Sequence, residues 1–306
     1  MNWNLEKYMN LYRHEEVFEE RFSLLMRALQ YAGEPEEKAT VFVEMIAFFF
    51  VSEDLQKVDE LLAFLEDNNF FLQNVCYYRG LIEDDKGNLD GAEELYYKAI
   101  DQDENFNKPY FALGFLYDRK GDFEKALFYY KEYSDMLGEK GLEDPTVYND
   151  IGSIYIDMGY LEDAKVYLDK SLANDPNFFR ALYNMGLYYY KKGDNENALA
   201  YYERTIDAEP FFMNSYLNIS AIYIADERYD EAIEVLTRGI NKNPSPDLLY
   251  NRACSYAKTY LYDRALDDLK RAYHYDKDIF KYAIKDKDFE AMDLRGIFEG
   301  GNDDIY

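Results

Sequence analysis

The side chains that most often carry out chemistry in proteins are few in this chain and lie far apart. The two histidines, His14 and His274, are separated by most of the sequence, so they suggest neither an acid–base pair nor a metal site. Residues 101–105 begin like a calcium-binding loop, but Phe106 stands where the sharp turn needs glycine and Ala112 where the bidentate glutamate belongs. No glycine-rich phosphate loop or metal-ligand spacing occurs. We therefore expect no catalytic site, no cofactor and no metal.

The charge balance excludes further classes of partner. Among 306 residues there are 61 acidic and 34 basic side chains, which gives a formal net charge of −27. Phosphate backbones and anionic membrane surfaces repel such a chain, so nucleic acid is not an expected partner. Hydrophobic residues make up 48% of the chain, which is too many for intrinsic disorder despite the charge. The composition therefore predicts a folded protein that binds other proteins or itself.

Targeting features point to the cytoplasm. The first residues lack the basic region and apolar core of a secretory signal. The longest apolar stretch, 41–51, contains Glu44 and is shorter than the roughly 20 residues that span a bilayer. Cys76 and Cys254 lie within helical apolar patterns, which favours reduced, buried thiols over a disulfide. We expect a cytoplasmic protein without membrane insertion.

Residues of the same type recur every 34 positions. A shift of 34 places Gly152 on Gly186, Tyr155 on Tyr189, Ala164 on Ala198, and Pro176 on Pro210. Further steps reach Ser220, Tyr223, Ala232 and Pro244 in one direction, and from Gly114 back to Gly80 in the other. Agreement at so many fixed offsets indicates an internal repeat.

Each repeat has the pattern of two helices. Within 179–212 the apolar residues are spaced three and four apart on either side of Gly193, which can end the first helix in a left-handed conformation. Ala198 is small enough for the two helices to approach closely, and Pro210 cannot continue the second. Such a pair has too little core to stand alone, so the pairs must stack into a one-dimensional solenoid.

The pattern of small, aromatic, alanine, large apolar and proline positions resembles the tetratricopeptide repeat (TPR). The resemblance implies an all-α fold, a right-handed α-solenoid of stacked antiparallel helix pairs. About seven units are expected, at 39–72 (degenerate), 73–106, 107–140, 145–178, 179–212, 213–245 and 246–279. Residues 141–144 are an insertion, and Glu83, Tyr133, Glu227 and Tyr260 depart from the family pattern.

The remaining residues are expected to cover the two ends of the solenoid. Residues 1–38 form an N-terminal helical cap, with helices roughly at 5–12 and 15–31. Residues 280–306 form a C-terminal capping helix, over 280–297, and a loose tail from Gly300.

The resemblance also implies where a ligand binds, because the first helix of each pair lines the concave groove in this family. The sixth position of successive units reads Asp150, Asn184, Asn218 and Asn251. An asparagine amide both donates and accepts hydrogen bonds, so it can match a peptide group whatever the peptide's side chains are. We expect these amides to form a ladder along an extended peptide.

Charged and aromatic residues join the amides in the expected groove. Over 107–279 the groove positions hold five cations against four carboxylates, whereas the chain as a whole is strongly acidic. The candidate ligand-binding residues are Arg180, Tyr183, Asn184, Tyr190, Lys191, Asn214, Asn218 and Asn251. This mixture suits an extended segment with an aromatic or acidic side chain.

The sequence thus predicts a non-enzymatic scaffold that binds a peptide segment or a partner protein in its concave groove. Two other hypotheses stay open. One is a structural protein that self-associates through terminal or convex surfaces, and the other is an enzyme accessory or catalytic module with an unrecognised site.

Overall fold

The structure is a computed structural model that describes residues 7–9, 12, 18–138, 144–292 and 294. Throughout these residues the regular secondary structure is helical and no β-strand is present, which confirms the predicted all-α class. None of the helices in the described ranges combines the length and the apolar character needed to cross a membrane.

The chain divides into two units, Met1–Gly141 and Leu142–Tyr306, and the division falls within the expected insertion. Insertion residues 141–143 lie outside the described residues. The helices of the first unit are α1 (Phe18–Tyr31), α2 (Pro35–Val51), α3 (Leu55–Asp67), α4 (Leu72–Asp85), α5 (Leu89–Gln102), α6 (Lys108–Arg119) and α7 (Phe123–Leu137). Those of the second unit are α8 (Pro145–Asp157), α9 (Leu161–Asn174), α10 (Phe179–Lys191), α11 (Asn195–Ala208), α12 (Met213–Ala225), α13 (Tyr229–Lys242), α14 (Pro246–Lys258), α15 (Tyr262–Tyr275) and α16 (Ile279–Ala283).

The helices of both units pack as pairs. In the second unit α8 packs on α9, α10 on α11, α12 on α13 and α14 on α15, and each pair contacts the next. In the first unit the pairs are α2 with α3, α4 with α5 and α6 with α7. Because only short turns join the two helices of a pair, the helices run antiparallel. The predicted stack of antiparallel helix pairs is therefore confirmed within each unit.

The turn inside each pair needs a residue in the left-handed conformation. Gly159 and Gly193 have φ angles of 80° and 77°. Glu227 and Tyr260, which replace glycine at this position, still adopt φ angles of 57° and 61°. Tertiary packing thus imposes the turn even where a side chain makes it unfavourable.

The core depends on contacts between a small and a large residue of the same pair. Ala198 and Tyr202 are buried, with 0% and 1% of their surface exposed. The Tyr202 ring lies against Gly186 so closely that a Cβ atom at position 186 would overlap it. The glycine therefore allows α10 to lie against the aromatic ring on α11.

The N-terminal end differs in one boundary from the sequence-based expectation. Helix α2 begins at Pro35, so the expected boundary between the cap and the first repeat at residue 38 falls inside a helix. The reason is local, because proline is well suited to the first turn and Glu34 and Glu37 form a reciprocal capping box there. Of the helix expected at 5–12, only Lys7–Met9 and Tyr12 are described, and they are helical, whereas residues 15–17 lie outside the described part.

The C-terminal end differs more. The single capping helix expected over 280–297 is wrong, because the structure has the short helix α16 followed by a 3-10 turn at Lys287–Phe289. Asp286 ends the helical path by accepting a hydrogen bond from the backbone N–H of Asp288 at 3.0 Å. The tail from Gly300 lies outside the described residues.

Candidate functional site

All eight predicted ligand-binding residues lie in the second unit, on the first helices of three consecutive pairs. Helix α10 carries Arg180, Tyr183, Asn184, Tyr190 and Lys191, α12 carries Asn214 and Asn218, and α14 carries Asn251. Helices α12 and α14 also contact each other directly. We call the side formed by α10, α12 and α14 the first-helix face.

Asn184 is not the open amide that the sequence led us to expect. Its side chain is buried, and its Nδ2 donates to Oδ1 of Asn149 at 2.9 Å. Asn149 is also buried and donates its own Nδ2 to Oδ1 of Asp150 at 3.0 Å. The role of Asn184 as a ladder residue is therefore corrected, because burial forces its amide to bond within the protein.

Asn218 makes an equivalent bond to the preceding repeat. Its Nδ2 donates to the hydroxyl of Tyr183 at 3.1 Å. Burial raises the pKa of Tyr183, whose ring packs on Tyr202 and Phe212 at centroid distances of 5.6 and 5.0 Å. Tyr183 is thus a neutral acceptor built into the repeat contact, and the expectation that its ring packs on a ligand is not supported by its surroundings.

The bonds donated by Asn184 and Asn218 follow one pattern, and Asn251 does not follow it. In both cases the sixth residue of one repeat donates to the fifth residue of the repeat before it. The residue that would receive the bond from Asn251 is Leu217, whose side chain has no acceptor. Within the described residues no side-chain hydrogen bond of Asn251 is found, so its amide is available to a ligand.

The other predicted residues are exposed and dispersed. Arg180, Tyr190, Lys191 and Asn214 are all solvent-exposed. The Arg180 guanidinium lies 5.8 Å from the Phe179 ring on its own helix. In the described part of the chain no hydrogen bond joins Arg180 or Lys191 to the amides of α12. The structure therefore brings together Tyr183 and Asn218, but not the full predicted cluster.

A cleft of ≈ 950 Å³ lies at the end of the first-helix face. Its wall includes two of the predicted residues, Asn218 and Asn251. The remaining lining residues are Leu217, Ala221, Asp247, Tyr250, Asp276, Ile279, Tyr282, Lys285 and Asp286. Its size falls within the range of about 300–1,000 Å³ typical of ligand pockets.

The segment that follows α15, residues 276–289, builds one wall of this cleft, and we call it the C-terminal segment. The hydroxyl of Tyr250 on α14 donates to Oδ2 of Asp286 at 2.7 Å, and Lys258 pairs with Asp288 at 2.7 Å. Phe289 is buried, with its ring 5.6 Å from that of Tyr250. These contacts fold the segment back onto α14. Sequence periodicity missed this wall because the segment lies beyond the last repeat.

Within the described residues, one group of potential metal ligands shares Asp286 with the cleft lining. The ligand atoms of Cys254, Asp286 and Asp288 are all within 4.8 Å of one another. Burial, followed by the two carboxylates, raises the pKa of the Cys254 thiol, whereas metal binding needs the thiolate. Both carboxylates also have partners already, in Tyr250 and Lys258. In this structure the two carboxylates therefore bond to α14 and attach the C-terminal segment to it.

The sequence did not favour the two histidines as an acid–base pair, and His274 does not line the cleft. His274 is exposed in the last turn of α15, and His14 lies outside the described residues.

Comparison with known proteins gives matches to family models and to solved structures. Models of the tetratricopeptide repeat match residues 108–136, 149–211 and 215–247. No curated protein sequence matches the chain.

Three solved structures are similar to most of the chain. One is the Cut9–Hcn1 hetero-tetramer of the APC/C, with a TM-score of 0.64 and 15% identity over 90% of this chain and 55% of that chain. The second is a tetratricopeptide repeat protein from Parabacteroides merdae, with a TM-score of 0.59 and 20% identity over 79% of this chain and 96% of that chain. The third is PilF from Pseudomonas aeruginosa, with a TM-score of 0.56 and 17% identity over 70% of this chain and 98% of that chain. The chain thus spans about half the length of the similar chain in the Cut9–Hcn1 structure.

At these identities the structural similarity concerns the fold. The 34-residue period, the antiparallel helix pairs and the matching family models agree with one another. The chain therefore contains tetratricopeptide repeats within residues 108–247 and has the α-solenoid fold of tetratricopeptide repeat proteins.

Proposed function

We propose that this protein is a non-enzymatic interaction scaffold that binds an extended peptide segment of a partner protein in the cleft of its second unit. The observation that carries the proposal is the open amide of Asn251 in the cleft wall. Its counterparts Asn184 and Asn218 bond to the preceding repeat, whereas Leu217 gives Asn251 nothing to bond to.

Other features of the cleft support peptide binding. Leu217, Ile279 and the rings of Tyr250 and Tyr282 supply apolar surface beside the amide. Such a mixture of apolar walls and a few placed polar groups is typical of ligand sites. The similar chain in the Cut9–Hcn1 structure belongs to a hetero-tetramer, so a chain of this fold associates with another protein there.

A peptide display library tests this proposal. Peptides are selected on the purified wild-type protein, and their affinities for the wild type and for two variants are then measured. Ala221→Trp fills the cleft, and Ala200→Trp adds the same bulk to the exposed side of α11. We expect at least about tenfold weaker binding to the first variant, because it occupies the peptide's volume, and no change for the second. Equal binding to all three proteins would place recognition elsewhere.

The amide itself is tested by Asn251→Ala. Loss of its hydrogen bonds leaves peptide groups without partners, so we expect binding to weaken by roughly tenfold. Because the Asn251 amide has no partner within the described residues, the melting temperature should stay near that of the wild type. Unchanged affinity would remove Asn251 from the site.

Self-association is the second candidate, favoured by exposed apolar side chains that do not line the cleft. Val166 on α9 and Phe128 on α7 are 52% and 54% exposed. Exposed apolar groups of this kind can mark association surfaces. If the molar mass in light scattering rises with protein concentration, and Val166→Lys abolishes the rise while Ala221→Trp does not, self-association replaces the leading proposal.

A cytoplasmic location belongs to the same proposal. Both thiols, Cys76 and Cys254, are free, as expected for a reducing compartment.

A further inference from the structure

The cleft of the second unit carries more negative than positive charge. Asp247, Asp276 and Asp286 line it, and Lys285 is the cation among its lining residues. Within the described residues, Lys285 forms no ion pair with any of the three carboxylates. The lining is therefore acidic and is not neutralised by its own side chains.

Neutral groups donate hydrogen bonds to two of these carboxylates. Asp286 accepts from the Tyr250 hydroxyl at 2.7 Å, and Asp276 accepts from the backbone N–H of Asp278 at 2.9 Å. Such bonds orient the carboxylates without cancelling their charge.

Two lysines near the cleft are held by acids that do not line it. Lys281 pairs with Asp278, and Lys258 pairs with Asp288 at 2.7 Å. These lysines do not supply the missing positive charge.

We propose that the peptide segment bound in this cleft carries a lysine or arginine side chain, which lies between Asp247 and Asp276 while Asn251 bonds the main chain of the segment. This inference rests on the proposed function and specifies its partner. An apolar or acidic segment would remove water from the carboxylates without supplying a counter-charge, which is unfavourable. A basic side chain compensates them.

The apolar part of the cleft fits the same side chain. Lysine and arginine have long aliphatic stems that pack along apolar surface while their charged ends reach acidic groups. Ile279 and Tyr282 provide such surface, and the Tyr282 ring is 64% exposed. An exposed aromatic ring also attracts a cation to its face.

This partner differs from the one expected from the sequence. That expectation, an aromatic or acidic side chain, rests on a mixture of aromatic, amide and cationic residues whose cations are Arg180 and Lys191. Neither residue lines the cleft. The charge of the cleft instead comes from α14 and from residues that follow α15.

Three peptide libraries test the inference. They are acetylated, amidated and equal in length, with random flanking residues and with lysine, glutamine or glutamate fixed at the centre. We expect the lysine library to bind best, the glutamine library about three- to tenfold more weakly and the glutamate library least. Equal binding of the glutamine and lysine libraries would overturn the basic partner but leave peptide binding intact. If neither these libraries nor the display library bind, the proposed function itself fails.

Protein variants separate the cleft from general attraction to an acidic protein. Asp247→Asn and Asp276→Asn each remove one cleft charge, whereas Glu234→Gln removes one exposed charge on α13 outside the cleft. We expect about three- to tenfold weaker binding of the lysine library to each cleft variant and none of this loss for Glu234→Gln. Ala221→Trp keeps the net charge and should also weaken binding, by at least about tenfold. Equal effects of all three charge variants would show that binding is general electrostatic attraction and would overturn the inference.

Discussion

At the residue scale, asparagines at the same repeat position have different roles because their partners differ. Asn184 is 8% exposed and donates to Asn149 at 2.9 Å. Replacing Asn184 with alanine leaves the buried acceptor of Asn149 without this donor, so we expect a loss of about 1–3 kcal/mol in the free energy of unfolding. Urea denaturation measures the change.

A matched control is available on α12. Asn214 is exposed, and Asn214→Ala makes the same change of side chain in a helix, so its effect should stay within about 0.5 kcal/mol. If both variants unfold at the same urea concentration, the bond between Asn184 and Asn149 does not stabilise the fold.

This difference also marks what the sequence could predict about the site. The repeat pattern placed Asn184, Asn218 and, after the 33-residue unit 213–245, Asn251 at one position, and it correctly assigned them to first helices. It could not separate them, because the partner of each amide is the fifth residue of another repeat. Only the structure shows that Asn149 and Tyr183 accept hydrogen bonds there.

At the scale of the helix pair, the small residue on the first helix allows the second helix to pack closely against it. A Cβ atom at position 186 would overlap the ring of Tyr202. Gly186→Ala should therefore destabilise the protein by about 1–3 kcal/mol through overpacking, as measured by thermal or urea unfolding. Ser220→Ala, at the equivalent position of the next repeat, adds no atom and removes only the hydroxyl that donates to the Leu217 carbonyl at 2.7 Å, so it should cost less, about 0.5–1 kcal/mol. Similar losses for both variants would contradict the packing argument.

The turn between paired helices gives a stabilising prediction. Glu227 is exposed and has a φ angle of 57°, which is unfavourable for a residue with a side chain. Glu227→Gly should raise the free energy of unfolding by about 0.5–1 kcal/mol, after allowance for the greater freedom of glycine in the unfolded chain. The reverse change in the preceding repeat, Gly193→Ala, should lower it. A destabilised Glu227→Gly variant would show that the side chain contributes more than the strain removes.

Helix pairs were thus predictable from local signals, whereas the ends of the chain were not. Periodic apolar residues recur in each repeat and turn glycines in most of them. A unit that departs from the pattern can therefore be delimited by comparison with the other units. The segment after Asp276 has no repeat to compare with. Its path depends on Asp286 bonding Tyr250 and on Phe289 packing against that ring, which are contacts distant in sequence.

At the scale of the whole molecule, buried tyrosines should control stability in alkaline solution. Burial, with a smaller contribution from the charge of Tyr133, raises the pKa of Tyr77 to about 12, and burial also raises the pKa of Tyr96. Tyrosine in the unfolded chain ionises near about pH 10. Between about pH 10 and 12 the folded chain therefore keeps protons that the unfolded chain has lost, so the free energy of unfolding falls as pH rises. Melting temperatures followed by circular dichroism should decrease through this range.

Tyr96→Phe isolates this effect from the general repulsion of an acidic chain whose lysines also lose their charge at high pH. The Tyr96 ring is fully buried, and its hydroxyl has no hydrogen-bond partner within the described residues. The variant keeps the ring and removes both the unpaired hydroxyl and its titration, so at neutral pH it should be at least as stable as the wild type. Above about pH 10 its melting temperature should fall less steeply with pH, because the folded variant holds one proton fewer that the unfolded chain would release. Tyr190→Phe, at a site that is 51% exposed, should follow the wild type. Parallel curves for Tyr96→Phe and the wild type would assign the alkaline loss to charge repulsion instead.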